Sequence, residues 1–295
     1  MTVPEFLERL CLRFDFLNLH HPAADFFVPN EQSLTEALGR VTHLGIGAHQ
    51  DDLEFMAFHG ILECYRKDHL WFGGITCTDG ARSSRSGKFE RMSDEEMKNL
   101  RREEQRCAAL LGEYAAMIQL DYPSSEIREP SDSPLTNDLR ELLIMTRPDV
   151  VYTHNPADKH GTHIAVVRAA IQAIRSLPLN LRPGKVIGCE VWRDLDWMPD
   201  EEKVIMDVSG GDPLASKLME CFSSQIAGGK RYDNAIQGRR LANASFLDPY
   251  KSDGAEQIIF GMDLTPLVQD QVLDMQQFVS GFIDRFHSKV KAALL

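Results

Sequence analysis

The sequence predicts a Rossmann-like α/β fold, a mostly parallel sheet with helices on both faces. Three observations carry this. Short β-rich runs alternate with helix-period segments from Val41 onward. The segments have the lengths of strands and of crossover helices, and turn residues separate them.

Val41 to Ala48 (VTHLGIGA) is the first strand, and Leu53 to Arg66 follows with helical spacing. Leu70 to Thr78 is a second strand, closed by Asp79-Gly80. Ser93 to Leu111 is a long helix: Ser93 and Glu96 form a capping box, and Gly112 suits a left-handed C-terminal position. Ala115 to Leu120 and Asp149 to Thr153 are further strands, followed by helices over Thr136 to Thr146 and His163 to Ile174 respectively in chain order. Ile187 to Trp192 and Val204 to Val208 are strand candidates on either side of a surface excursion. From Leu264 to Leu294, Val268, Val272, Met275, Val279, Phe282, Phe286 and Val290 step by three or four. That stripe implies one long helix, docked either on its own core or at a subunit contact in a homo-oligomer. The organisation is an N-terminal arm over 1–40, a catalytic-type domain over 41–263 and a C-terminal helix over 264–295.

With 295 residues, 43% hydrophobic and 26% charged, the chain has the composition of a globular protein with a full core. A net charge of −12 argues against a nucleic-acid partner or an anionic membrane. No run approaches the ~20 apolar residues of a membrane span, and no signal peptide opens the chain, so a cytoplasmic location is expected. The six cysteines (Cys11, Cys64, Cys77, Cys107, Cys189, Cys221) form no C-x-x-C pair and read as reduced small hydrophobes.

Chemistry concentrates in two segments. Ala48-His49-Gln50-Asp51-Asp52-Leu53-Glu54 sits where the first strand ends and a helix begins, the edge at which open parallel sheets bind ligands. Two adjacent carboxylates beside an imidazole suit a divalent cation, which offsets their repulsion. They would equally cap the helix and complement its dipole. Gly45-x-Gly47 fails as a dinucleotide fingerprint, because Gln50 holds the third glycine position and the acids would repel a pyrophosphate. The second segment runs from His154 through Asp158 and His160 to His163. It places three of the chain's ten histidines within ten residues. A polar helix entry with a solvated histidine is the plainer reading of that segment. Two such segments at the ends of parallel strands point to one shared site.

These motifs resemble those of the PIG-L/LmbE-like zinc-dependent N-acetylglucosaminyl deacetylase family, whose A-H-P-D-D-x-E is matched by Ala48 to Glu54 and whose H-x-D/N-H by His160-Gly161-Thr162-His163. Thr78-Asp79-Gly80, Arg101-Arg102-Glu103, Leu111-Gly112, Arg147-Pro148-Asp149, Lys217 and Ser224-Gln225 are softer matches. The resemblance implies a zinc-dependent hydrolase that removes acetyl from an N-acetylated sugar conjugate, a small-molecule glycoconjugate substrate. It implies one Zn2+ per chain on His49, Asp52 and His163, with Fe2+ or Mn2+ as substitutes. Asp51 would be the general base, and a protonated His160 would stabilise the oxyanion or protonate the leaving amine. Gln50 in place of proline would loosen the turn. Thr162 stands where an acid or amide would orient the neighbouring histidine. Two alternatives stay open: an amidase acting on a larger amide or thiol conjugate, and a catalytically silent metal-containing binding module. Asp79, Arg82 and Arg85, in a loop with Lys88, are candidates for contacting a sugar hydroxyl or an anionic substrate group, or form a solvated basic loop.

Overall fold

The computed structural model describes residues 19–30, 32–128, 134–227 and 231–295. Much of the expected N-terminal arm lies outside them. The strands are β1 (Asp25–Phe27), β2 (His43–Gly47), β3 (Phe72–Thr78), β4 (Ala116–Tyr122), β5 (Val150–His154), β6 (Lys185–Cys189), β7 (Lys203–Asp207) and β8 (Ile258–Asp263). The helices are α1 (Leu34–Gly39), α2 (Asp52–Met56), α3 (Phe58–Cys64), α4 (Asp94–Leu111), α5 (Ser124–Ile127), α6 (Pro134–Thr146), α7 (Gly161–Arg175), α8 (Asp212–Glu220), α9 (Ser223–Ala227), α10 (Tyr232–Ser245), α11 (Thr265–Gln269) and α12 (Met275–Ala293).

All eight strands form one sheet in the order β1-β4-β3-β2-β5-β6-β8-β7. The five central strands, β4 to β6 across β2, are parallel. The edges are closed by antiparallel β1 on one side and by β8 and β7 on the other. Alternate strand residues feed two cores, as the period of two requires. Leu44, Ile46, Ile75, Ile118 and Val151 pack with α6 and α7 on one face. Phe72, Met117, Tyr152 and Ile187 pack with α2, α3, α4 and α8 on the other. The Rossmann-like expectation is met. No helix among the described residues is long and apolar enough to cross a membrane.

The glycines of β2 explain how the site is brought close to the sheet. On the face opposite Leu44 and Ile46, a Cβ at Gly45 would sit 2.8 Å from both the Leu53 and Phe72 side chains, and one at Gly47 3.2 Å from Asp52 Cβ. Without side chains there, α2 lies directly on the strand it follows. Asp52 is thereby folded back to the strand's end. The Gly-x-Gly serves close helix–strand packing, the remaining role such glycines have once dinucleotide binding is excluded.

Several boundaries differ from expectation. The helix after β2 is split by a break at Ala57 (φ −99°, ψ 16°). The long C-terminal helix is two helices: Asp270 Oδ1 accepts the Val272 N–H, and Asp274 starts α12 by accepting the Gln277 N–H at 2.9 Å. The stripe is consequently divided, with Val268 and Phe282 buried and Val272, Phe286 and Val290 exposed. The capping box of α4 is present, but Gly112 is right-handed (φ −81°), and Glu113 takes the left-handed position (φ 55°). Gly112 is needed for proximity instead: its Cβ would lie 2.5 Å from the Tyr114 ring.

A paired measurement separates these roles. Gly112→Ala should cost about 1–3 kcal/mol through overpacking against Tyr114, whereas Glu113→Gly should be neutral or stabilising, because it relieves a left-handed non-glycine residue. Urea unfolding midpoints of both variants check this; the reverse order would restore Gly112 as the left-handed cap.

Candidate metal centre and catalytic cleft

β2 and β5 are adjacent and parallel, with Ile46 beside Thr153. The chain leaves β2 into α2 on one face of the sheet and leaves β5 for α7 on the other. This is the topological switch point, where a crevice opens beyond the strands' carboxyl ends. His49 and Asp52 follow β2, His154 ends β5, and His163 lies in the first turn of α7.

Three atoms form a small triangle there. His49 Nδ1 is 3.2 Å from Asp52 Oδ2, His163 Nε2 is 3.2 Å from His49 Nδ1, and His163 Nε2 is 3.4 Å from Asp52 Oδ2. Ligands at ~2.0–2.2 Å from a tetrahedral ion are separated by about 3.4 Å. The donors therefore fit a zinc-sized divalent ion with one further coordination position facing the cleft. Two overlapping groups of possible ligands occur, His49–His160–His163 and Asp52–His154–His163. His154 is the weaker candidate, because its Nε2 accepts the Ala48 N–H at 2.9 Å. It is fully buried and stacks on His163, with ring centroids 3.8 Å apart. Burial, followed by the His163 charge, pushes its pKa down to about 4, so it is neutral.

Charge organises the triangle. Burial works to raise the pKa of Asp52, but His163 and His154 override it and hold the carboxyl well below the usual range. Asp52 Oδ2 also accepts the N–H groups of Ala48 (3.1 Å) and His49 (2.7 Å). His163 is likewise desolvated, yet the Asp52 and Asp158 carboxylates raise its pKa. Asp158 Oδ2 is 3.2 Å from His163 Nδ1, on the side of the ring away from the triangle. Such a carboxylate fixes the tautomer of a ligand histidine. It fills the orienting role that the family pattern gives to position 162, where Thr162 stands.

Asp51 is separated from this cluster by its backbone. It takes a left-handed conformation (φ 94°, ψ −27°), which costs strain outside glycine. Its Oδ2 accepts from Arg101 at 2.9 Å, and its N–H donates to Gln105 Oε1 at 3.1 Å. Burial raises its pKa above the ordinary carboxylate value, and Arg101 opposes the rise. Arg101 is 1% exposed and also donates to the Gln50 carbonyl and, at 2.9 Å, to Glu104 Oε2. Gln105 bridges onward to Glu54, whose carboxyl burial pushes up to about 7. Gln50 does not loosen the turn. It is buried, and its amide donates to the Thr78 carbonyl at 3.0 Å and to Gln119 at 3.2 Å, tying the ends of β2, β3 and β4 together.

A cavity of about 630 Å³ opens over these groups and is lined by His49, Asp51, Asp52 and His160. Burial first, then the charges of His49 and His163, push His160 down to about 4. The protonated His160 expected from the sequence gives way to a neutral imidazole that can donate one N–H. Trp192, Tyr232 and Phe55 form an aromatic wall, with Trp192 edge-on to Tyr232 at 6.0 Å. Arg82 reaches the cavity, together with Arg128. Arg85 instead pairs with Asp94 and donates to the Ala81 carbonyl, so it holds the loop. Asp79 accepts the Ala81 N–H at 3.1 Å and shapes the turn. Sequence reasoning did not single out Trp192, Tyr232, Arg128 or the part played by Arg101. The Arg-x-x-Glu spacing of Arg101 and Glu104 on α4 was the one available signal.

Comparison with known proteins supports the family resemblance. Residues 44–174 match the family model PIG-L: GlcNAc-PI de-N-acetylase. No curated protein sequence gives a significant match. Among solved structures, N,N'-diacetylchitobiose deacetylase from Pyrococcus horikoshii superposes with a TM-score of 0.60 at 16% identity, covering 94% of this chain and 98% of that one. The 4-carboxy-2-hydroxymuconate hydratase from Pseudomonas putida KT2440 gives 0.59 at 16%, covering 76% and 96%. The zinc-inhibited form of teicoplanin deacetylase gives 0.52 at 14%, covering 75% and 97%. At these identities the likeness is one of fold, and it spans more than one reaction.

Because a metal must displace the proton held on His163 between Asp52 and Asp158, loading at neutral pH should release protons, and affinity should fall as pH drops through the raised His163 pKa. Calorimetric titration with Zn2+ in buffers of different ionisation enthalpy measures the release. About one ion per chain is expected, with binding lost in His49→Ala; tight binding unchanged by that substitution would place the ion elsewhere.

Proposed function

Taking the PIG-L match across residues 44–174 as premise, we propose that this chain is a metal-dependent hydrolase that removes acetyl from an N-acetylated sugar conjugate. The observation that carries the reading is the triangle of His49, Asp52 and His163 with Asp51 beside it in one cleft. His49 Nδ1, Asp52 Oδ2 and His163 Nε2 would hold the ion, and Zn2+ is the best match to two imidazoles and a carboxylate. When bound, the metal supplies Lewis acidity toward the amide carbonyl and lowers the pKa of water to about 7.

The rest of the chemistry falls to the chain's own groups. Asp51 receives the proton of the attacking water; Arg101 occupies its Oδ2, which leaves Oδ1 to take it. The raised pKa makes Asp51 a stronger base than a solvated carboxylate, while the guanidinium keeps it ionised at neutral pH. The neutral His160 imidazole lines the same cavity and donates an N–H to the oxygen on which negative charge develops. The proton on Asp51 then passes to the departing amine, leaving acetate and a free amino sugar. Trp192 and Tyr232 offer the apolar surface on which the C–H face of a sugar ring packs, and Arg82 meets an anionic substituent.

A hydratase with the same fold makes product identity the necessary readout, and a neighbour known in a zinc-inhibited form requires metal content and turnover to be measured separately. Mass spectrometry should detect equimolar acetate and free amine from N-acetylglucosamine conjugates. Release of a larger acid would favour the wider amidase reading, and metal binding without any product the silent module. Asp51→Ala should retain its metal and lose about 10²–10⁴-fold in kcat; turnover that survives this change removes Asp51 from the mechanism. Activity should fall with decreasing pH above the range in which a solvated carboxylate titrates. Arg101→Gln removes the charge that opposes the shift, so the acid limb of kcat/KM should move to higher pH in that variant.

A further inference from the structure

Behind the cleft, α4 and the end of α8 bring two thiols together. Cys107 Sγ and Cys221 Sγ are 2.8 Å apart although the residues are separated by 114 positions in sequence. An ordinary non-bonded contact between heavy atoms is ~3.5–4.0 Å, so these sulfurs are closer than packing alone requires. Cys107 is exposed, whereas Cys221 is partly covered and its sulfur also lies 3.6 Å from the Lys217 carbonyl. The remaining described cysteines, Cys64, Cys77 and Cys189, are buried. The sequence gave no hint of this pair.

The two elements that the thiols join also support the cleft. One turn before Cys107, Glu104 accepts the Ser224 N–H at 2.7 Å and the Ser224 hydroxyl at 2.8 Å. Arg101 and Gln105, on the same helix, hold Asp51. Gln225, at the start of α9, lines the cavity. The register between α4 and the turn into α9 therefore rests on one polar cluster centred on Glu104, with the thiol pair lying beside it.

We propose that Cys107 and Cys221 are a redox-responsive pair that closes to an intrachain disulfide and pins α4 to the turn leading into α9. The oxidant is a small-molecule disulfide. The Cys107 thiolate, which meets solvent first, attacks one of its sulfurs and expels a thiolate, leaving a mixed disulfide on Cys107. Cys221 then attacks Cys107 Sγ, the new protein S–S bond forms, and the second small thiolate departs. Two protein thiols are oxidised, the small disulfide is reduced by two electrons, and the two protons end on the released thiols. Burial raises the Cys221 thiol pKa, which assigns it the resolving rather than the attacking role. In a reducing compartment the bond would be transient. The inference does not depend on the hydrolytic reading.

The test uses the full chain incubated with oxidised glutathione, alkylated and digested without reductant. The expected product is a linked peptide containing Cys107 and Cys221 with no retained glutathione. The melting temperature should rise by about 5–10 °C, as expected for closing a long loop, and return on reduction. Cys221→Ser should instead trap glutathione on Cys107 and show no such rise, and Cys107→Ser should form no link. Glutathione retained on wild-type Cys107, a link to any other cysteine, no loss of thiols, or a 107–221 link without a change in melting temperature would each overturn the proposal.

Discussion

Two neighbouring carboxylates, Asp51 and Asp52, are buried together at the end of β2, and the surrounding structure is arranged to keep both ionised. Desolvation opposes this at each position. The backbone resolves the conflict by sending the two side chains to different partners. Asp52 turns toward imidazoles, and the strained left-handed conformation of Asp51 delivers its carboxylate to a buried guanidinium. An uncompensated buried charge is costly: breaking one such pair typically costs about 3–5 kcal/mol. Arg101 serves two acids at once, Asp51 and Glu104, so its loss would leave both exposed to that penalty. The cluster is expensive in stability and makes sense as a reactive arrangement.

The division also assigns chemistry. The carboxylate set among histidines is held anionic and low, which suits a metal ligand. The one beside Arg101 is poised higher, which suits proton transfer. Two chemically identical side chains, adjacent in sequence, are separated in function by what each touches. Asp158 extends the logic outward by holding the far nitrogen of His163, and Gln105 does so by holding the Asp51 backbone.

Much of this was legible before the structure. The strand–helix alternation predicted the parallel sheet, and the density of acids and histidines at two strand ends located the centre, because parallel strands must present their carboxyl ends on one edge. The periodicity rules failed where local side-chain contacts decide: the capping aspartates that divide the C-terminal helix, and the Tyr114 ring that claims Gly112 for packing. Position-by-position comparison with the family pattern misjudged Gln50 and Thr162, since the work of an absent residue was taken up from elsewhere in the fold. Gln50 became a buried strap, and Asp158, five residues before His163, orients it. Trp192 and Tyr232 carried no sequence signal, because their proximity to the cleft depends on how β6 and α10 come together beside it.

The central claim is that β2 and β5 converge to hold one divalent ion through His49, Asp52 and His163. Diffraction from metal-loaded crystals, collected on either side of the zinc absorption edge, tests it directly. The account predicts a single strong anomalous peak within bonding distance of His49 Nδ1, Asp52 Oδ2 and His163 Nε2, with a fourth position open to the cleft. A peak elsewhere, or full occupancy of that fourth position by a protein side chain, would contradict it.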